Sequence, residues 1–247
     1  MFKNNKNLIF NGYQAEDLGF IVVEGSNEIL AQEDYELVSV EGRNGDLLIN
    51  KGTYPNIEKT FTITAIDYIE DEDIDRMMTN IRKWFFDIKD DRLFYTYGNK
   101  YNIVKKVVFK EDVRTSFEEF GDFQVTFLCE PFYYTAEEPI EVVKSDTGDT
   151  TSMFMNYGDF ESFPYIKIYG SGNIGFYLNG IMIGVKNVTT SVELDTKLLI
   201  CLDAKGNNKM NDLLVDFPTL QRGENVITIP SDQNISKIKI IPRTIFR

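Results

Sequence analysis

The segment from Glu161 to Gly180, ESFPYIKIYGSGNIGFYLNG, leaves a chain little choice but β structure. Ile166 and Ile168 alternate with Tyr165, Lys167 and Tyr169. After a Gly-Ser-Gly-Asn turn, Ile174, Phe176 and Leu178 alternate with Gly175, Tyr177 and Asn179. A period of two sends alternate side chains to opposite faces of a strand. Asn179-Gly180 is the preferred pair for a two-residue type I′ hairpin, whose central residues both need positive φ. Ile181, Ile183 and Val185 then resume the alternation.

The rest of the second half has the same character. Strands are expected at Val192 to Asp195, Leu198 to Leu202, Asn211 to Val215, Val226 to Ile229 and Ile235 to Ile240, which fits a two-sheet sandwich of jelly-roll type. The uninterrupted apolar run Leu198 to Leu202 reads as a strand covered on both faces, and Asp203 to Asn211 as a polar connection.

The first half is also mostly β, with one clear exception. From Asp71 to Ile88 apolar residues fall at Ile74, Met77, Met78, Ile81, Phe85 and Ile88, spacings of three and four that make one helical stripe. Acidic residues (Asp71, Glu72, Asp73, Asp75) crowd its start, while Arg82, Lys83 and Lys89 lie toward its end, matching the helix dipole. Strands are expected at Leu18 to Val23, Thr60 to Ile66, Leu93 to Tyr97, Tyr101 to Phe109 and Phe123 to Cys129, with a turn at Gly98-Asn99. Between the first two lies the segment from Asp34 to Glu58. It is more polar than its neighbours, has little to bury on either face, and carries a hairpin tip at Arg43-Asn44-Gly45-Asp46 and a second turn from Gly52 to Asn56. It reads as a projecting arm. After Glu130-Pro131 the chain turns polar and proline-bearing, so a boundary is expected near Thr135 to Pro139. That gives one domain at 1–135, with its helix near 71–88 and its arm near 34–58, and a second at 136–247.

At 247 residues the chain suits two domains of ordinary size. Its net charge of −13 repels phosphate backbones and argues against sequence-independent nucleic-acid binding. No His is present, which removes the commonest general base, the Ser-His and Cys-His nucleophile pairs and imidazole metal sites. Cys129 and Cys201 each sit in an apolar strand pattern and read as small buried residues. No apolar run is long enough to span a bilayer. The first residues lack the apolar core and cleavage site of a signal peptide, so a role outside the cell implies another route, such as release of particles on lysis.

Sharper chemistry finds little support. Asp71, Asp73 and Asp75 have the 1-3-5 spacing of a calcium loop, but Arg76 stands where the loop needs Gly, and no bidentate Glu follows; they read as solvated carboxylates. Glu118-Glu119 and Glu137-Glu138 are adjacent pairs, which on a strand point to opposite faces, whereas a glycosidase needs two carboxylates facing across a cleft. Tyr165, Tyr169 and Tyr177 would make an aromatic strip for a sugar or for another protein surface. The expected roster therefore holds no catalytic residue, no metal ligand and no cofactor.

Five segments in order resemble the distal tail protein family of phages with long non-contractile tails. They are FNGYQAEDLGFIVVEG (Phe10 to Gly25), EGRNGDLLINKGTYPNIE (Glu41 to Glu58), FLCEPFYY (Phe127 to Tyr134), NYGDFESFPYIKIYGSGNI (Asn156 to Ile174) and FPTLQRGENVITI (Phe217 to Ile229). The resemblance spans nearly the whole chain. It implies a non-enzymatic hub: a hexameric ring in the virion, at the tail tip, assembled in the host cytoplasm. The ring would join the tail tube protein to the tail-associated lysin or tail-tip protein, with the tape-measure and receptor-binding proteins as further partners. It also implies a first-domain β-sandwich or barrel with one helix and a projecting hairpin, and a galectin-like second domain. The chain is too short for the inserted carbohydrate-binding module of some relatives. The candidate inter-subunit contacts are Leu37, Arg43, Asn44, Gly45, Asp46, Leu47 and Tyr54 of the arm. A glycan-binding β-sandwich adhesin, or an accessory module of a glycan hydrolase, is the alternative, separable by size in solution and glycan affinity.

Overall fold

The computed structural model describes residues 8–25, 30–66, 71–95 and 99–247, the side chains of residues 71–73 excepted. The start of the chain, the Gly98 half of the expected turn, and the carboxylates of Asp71, Glu72 and Asp73 lie outside the described residues. The chain divides into two compact units, one running to Tyr134 and including Arg247, the other Thr135–Phe246.

The first unit contains β1 (Ile9–Phe10), β2 (Tyr13–Gln14), β3 (Phe20–Gly25), β4 (Tyr35–Val38), β5 (Leu47–Asn50), β6 (Ile57–Ala65), α1 (Asp71–Phe85), β7 (Arg92–Phe94), β8 (Lys100–Val108), α2 (Val113–Phe120), β9 (Asp122–Cys129) and β10 (Tyr133–Thr135). Its main sheet runs β2-β1-β7-β8-β9-β6-β3, with β10 also paired to β8. On β6 and β9 the period of two is visible in the core: Phe61, Ile63, Phe123, Val125, Phe127 and Cys129 are all buried. α1 lays Met77, Ile81, Trp84 and Phe85 into that core, and Ile74 is buried as well. The Trp84 ring stacks on Phe20 at 5.9 Å, and its indole N–H donates to the Phe10 carbonyl at 3.1 Å, so the largest core side chain keeps its polar edge satisfied.

Three expectations for this unit change. α1 ends at Phe85 rather than Ile88, and Ile88 is exposed. The side chain of Asn11 explains the stop: its amide donates to the Trp84 and Asp87 carbonyls, at 3.2 and 2.9 Å, and its oxygen accepts from the Lys89 N–H at 2.8 Å. The Trp84 carbonyl is one of those a helix C-terminus leaves unpaired, and the other two bonds hold the chain just past the end. A second helix, α2, stands where no helix was expected. Asp112 caps it by accepting from the Thr115 N–H at 2.9 Å, Gly121 ends it at φ 75°, and Phe117 anchors it. Glu118-Glu119 therefore lie on a helix, where Glu118 pairs with Arg114, and not on a strand.

The second unit holds β11 (Ile140–Val143), β12 (Thr150–Asn156), β13 (Tyr165–Gly170), β14 (Gly172–Leu178), β15 (Ile181–Val188), β16 (Ser191–Asp195), β17 (Ile200–Asp203), β18 (Gly223–Ile229) and β19 (Ile235–Ile241). Two antiparallel sheets, β11-β19-β13-β16-β17 and β12-β18-β14-β15, enclose one core. Ile166, Ile168, Ile238 and Ile240 from the first sheet pack with Phe176, Leu178, Ile183, Val185 and Ile227 from the second. Asn179 and Gly180 take φ 51° and 81° in the two-residue turn between β14 and β15. The Asn179 side chain also binds β18, accepting from the Val226 N–H and donating to Asn225, both at 2.8 Å.

Two strand expectations fail here. Leu198 and Leu199 are exposed turn residues, and β17 begins only at Ile200. The Asp195 carboxylate accepts from the Lys197 and Leu198 N–H groups at 3.1 Å and Leu199 adopts φ 55°, so the chain reverses where an apolar run alone reads as extended. In place of a strand from Asn211 to Val215 there is a 3₁₀ turn, Met210–Asp212, followed by a single bridge from Leu213 to Val185.

Candidate assembly surface

β4 and β5 form a two-stranded ribbon that joins no other sheet. Tyr35 faces Asn50, Glu36 faces Ile49, Leu37 faces Leu48 and Val38 faces Leu47. Directly opposed residues share a face, so one side of the ribbon carries Tyr35, Leu37, Leu48 and Asn50, and the other Glu36, Val38, Leu47 and Ile49. The tip is the eight-residue loop 39–46. Gly42 and Gly45 take φ 80° and 81° there, and the Arg43 N–H donates to the Val40 carbonyl at 3.1 Å.

Both faces are solvated. Tyr35, Leu37, Val40, Leu47, Leu48 and Ile49 are all exposed. An isolated two-stranded hairpin is marginal in water, and this one leaves aliphatic groups uncovered on each side. The sequence marks the segment as an arm through its polarity; the structure adds that its few apolar residues are presented outward. Tyr35, Val40, Leu48 and Ile49 are absent from the sequence-based set. The run Leu47-Leu48-Ile49 was the available signal, since consecutive apolar residues on a ribbon without a sheet cannot all be covered.

The base of the arm is tied down. The Asp34 N–H donates to the Thr53 carbonyl at 2.8 Å, the Lys51 N–H returns to the Asp34 carbonyl at 3.0 Å, and the two side chains pair at 3.2 Å. Glu33 accepts from the Tyr35 hydroxyl at 2.5 Å, the Asn50 amide at 2.8 Å and the Tyr54 hydroxyl at 3.2 Å. These donors, Tyr35 foremost, hold its carboxyl below the ordinary range. Of the expected contact residues, Leu37 and Leu47 lie on the strands and Arg43 to Asp46 in the tip. Tyr54 sits at the base, edge-on to Phe132 at 4.9 Å and accepting from Arg247 at 2.6 Å.

Among the described residues no group of three or more His, Cys, Asp or Glu could hold a metal, and no helix is long and apolar enough to cross a membrane. Burial pushes the thiols of Cys129 and Cys201 up to about 12 and about 11, leaving both protonated and inert. The aromatic strip does not form. Tyr165 and Tyr169 lie on β13, paired to β16 and β19, whereas Tyr177 lies on β14 in the other sheet, because the chain crosses between sheets at Gly170 to Gly172.

A β-rich chain of two units, one bearing helices and a free hairpin and the other a sandwich, is the class this fold defines. Within it, the chain is similar to SPP1 Dit (gp 19.1), described as a paradigm of hub adsorption apparatus in Gram-positive infecting phages. The TM-score is 0.65 at 14% sequence identity, over 95% of this chain and 97% of that one. No family model matches the sequence, and no curated protein matches it. The likeness therefore shows a shared fold.

Proposed function

We propose that this protein is a structural hub of a long non-contractile phage tail. Six copies form a ring that joins the tail tube protein to the tail-associated lysin or tail-tip protein, with the tape-measure and receptor-binding proteins as neighbours, and DNA passes through it. The ring is a virion component at the tail tip, assembled in the host cytoplasm, and performs no catalysis. The observation that carries this reading is the fold likeness to a hub adsorption protein over 95% of the chain.

The arm supports it in physical terms. A hairpin fixed at its base and apolar on both exposed faces is what a clasp between subunits requires. Composition agrees: six copies at −13 each sum to −78, which suits a conduit that must not retain DNA. In this reading the chain has two folding domains, 1–135 building the ring and 136–247 a galectin-like sandwich on its outside. Light scattering combined with a glycan array tests it. A multimer without glycan affinity is expected; a monomer that binds glycans instead identifies the adhesin.

A further inference from the structure

A second uncovered apolar feature lies in the first unit, away from the ribbon in sequence. An open groove of about 490 Å³ runs between the later turns of α1, the residues after β8 and the start of α2. Met78, Ile81, Phe86, Phe109 and Val113 line it. Phe86 stacks on Phe109 at 5.7 Å yet stays 68% exposed, the most solvated large apolar side chain on that wall. A cavity of ~150 Å³ admits a benzene ring, so this groove has room for several branched side chains. Four charged residues share its lining: Arg114 is held by Asp75 and Glu118 at 3.2 and 2.9 Å, Glu111 accepts from the Ser116 hydroxyl at 3.3 Å, Asp112 accepts from the Thr115 N–H at 2.9 Å, and Arg82 makes no ion pair among the described residues.

We propose that this groove receives the arm of a second copy of the same chain, seated by the face that carries Glu36, Val38, Leu47 and Ile49. That face offers three aliphatic side chains for an apolar floor and one carboxylate for the rim. Glu36 likewise makes no ion pair among the described residues, so Glu36 and Arg82 are complementary charges, each beside the apolar surface to be covered. The opposite face of the ribbon, Tyr35, Leu37, Leu48 and Asn50, bears no charge to match Arg82. Seating the arm in a neighbour's groove covers both features in one head-to-tail contact, which closes a ring by repetition. The inference rests on the clasp reading of the arm and adds where the clasp lands and which residues set its register.

Charge reversal tests it. Glu36→Arg alone and Arg82→Glu alone each set like charges face to face, and each is expected to weaken self-association roughly tenfold or more. Both are exposed, so folding is unaffected, as circular dichroism melts check. The double variant is expected to assemble like the parent. Mixing the two single variants is expected to restore assembly as well, because the reversed arm of one chain then meets the reversed groove of the other. If the parent assembles and the single variants do too, or if neither combination rescues them, the arm docks elsewhere and this inference falls while the clasp reading survives. Rescue by the double variant but not by mixing means that each arm folds back on its own chain, which also overturns it. A parent that never self-associates defeats the clasp reading itself.

Discussion

Replacing residues 36–49 with Asn-Gly isolates what the arm does. Tyr35 and Asn50 are direct cross-strand partners, so a two-residue turn joins them without disturbing the Glu33 and Asp34 contacts at the base. Leu37 is 67% exposed, Leu48 58%, Ile49 43% and Leu47 37%, so the uncovered aliphatic surface amounts to roughly two complete side chains. Covering all of it is worth about 3–6 kcal/mol per arm, and covering one face about half that. Removal should therefore weaken each subunit contact by at least about tenfold. The ribbon joins no other sheet, so the melting temperature of the shortened chain should stay close to that of the parent. Light scattering across a dilution series reads the association, and differential scanning calorimetry the melt. Assembly of the shortened chain at the parent's concentrations would refute the clasp argument. A collapsed melt would instead show that the arm supports the fold of its own chain.

Other outcomes follow from the second unit and from the charge. Gly180→Ala places a Cβ at φ 81° in the β14–β15 turn and should cost the sandwich about 1–2 kcal/mol in denaturant unfolding; no loss would mean the turn relaxes to another type. Burial alone would raise the Asp195 carboxyl, but Arg243, bonded to it at 2.7 and 2.8 Å, and two backbone N–H groups hold it below the ordinary aspartate range. Its contribution is therefore intact above that range and lost as pH falls through the lowered value, so Asp195→Asn should flatten the acid limb of the unit's stability profile. An unchanged limb would show that other carboxylates set it. The assembled protein should retain no double-stranded DNA at physiological ionic strength; tight, salt-sensitive binding would point to a basic channel.

The parts of the fold legible in the sequence are those where one periodicity acts alone. Ile166 to Val185 alternates cleanly and forms the expected strands and turn, and the stripe Ile74-Met77-Ile81-Phe85 forms α1. Failures come where local polar chemistry overrides the apolar pattern. Asp195 bends the chain under Leu198 and Leu199, and Asn11 closes α1 from 73 to 78 residues away in sequence, which no window of sequence contains. α2 escaped because β-branched Val113 and Thr115 weaken its helical signal, although Asp112 and Gly121 flank it as a cap and a stop. At the candidate site the arm was legible as a ribbon with a Gly-bearing tip. The outward display of Leu48 and Ile49 was not, because it depends on the ribbon having no sheet beside it. The groove under Phe86 joins residues from α1, the stretch after β8 and α2, so one of its three walls required knowing that α2 exists.

If copies of this chain close into the proposed ring, electron micrographs of the purified protein show annular particles with six-fold averages, and its native mass is near 171 kDa, six times 28.5 kDa. Featureless particles at 28.5 kDa at every concentration, with the arm intact, would contradict it.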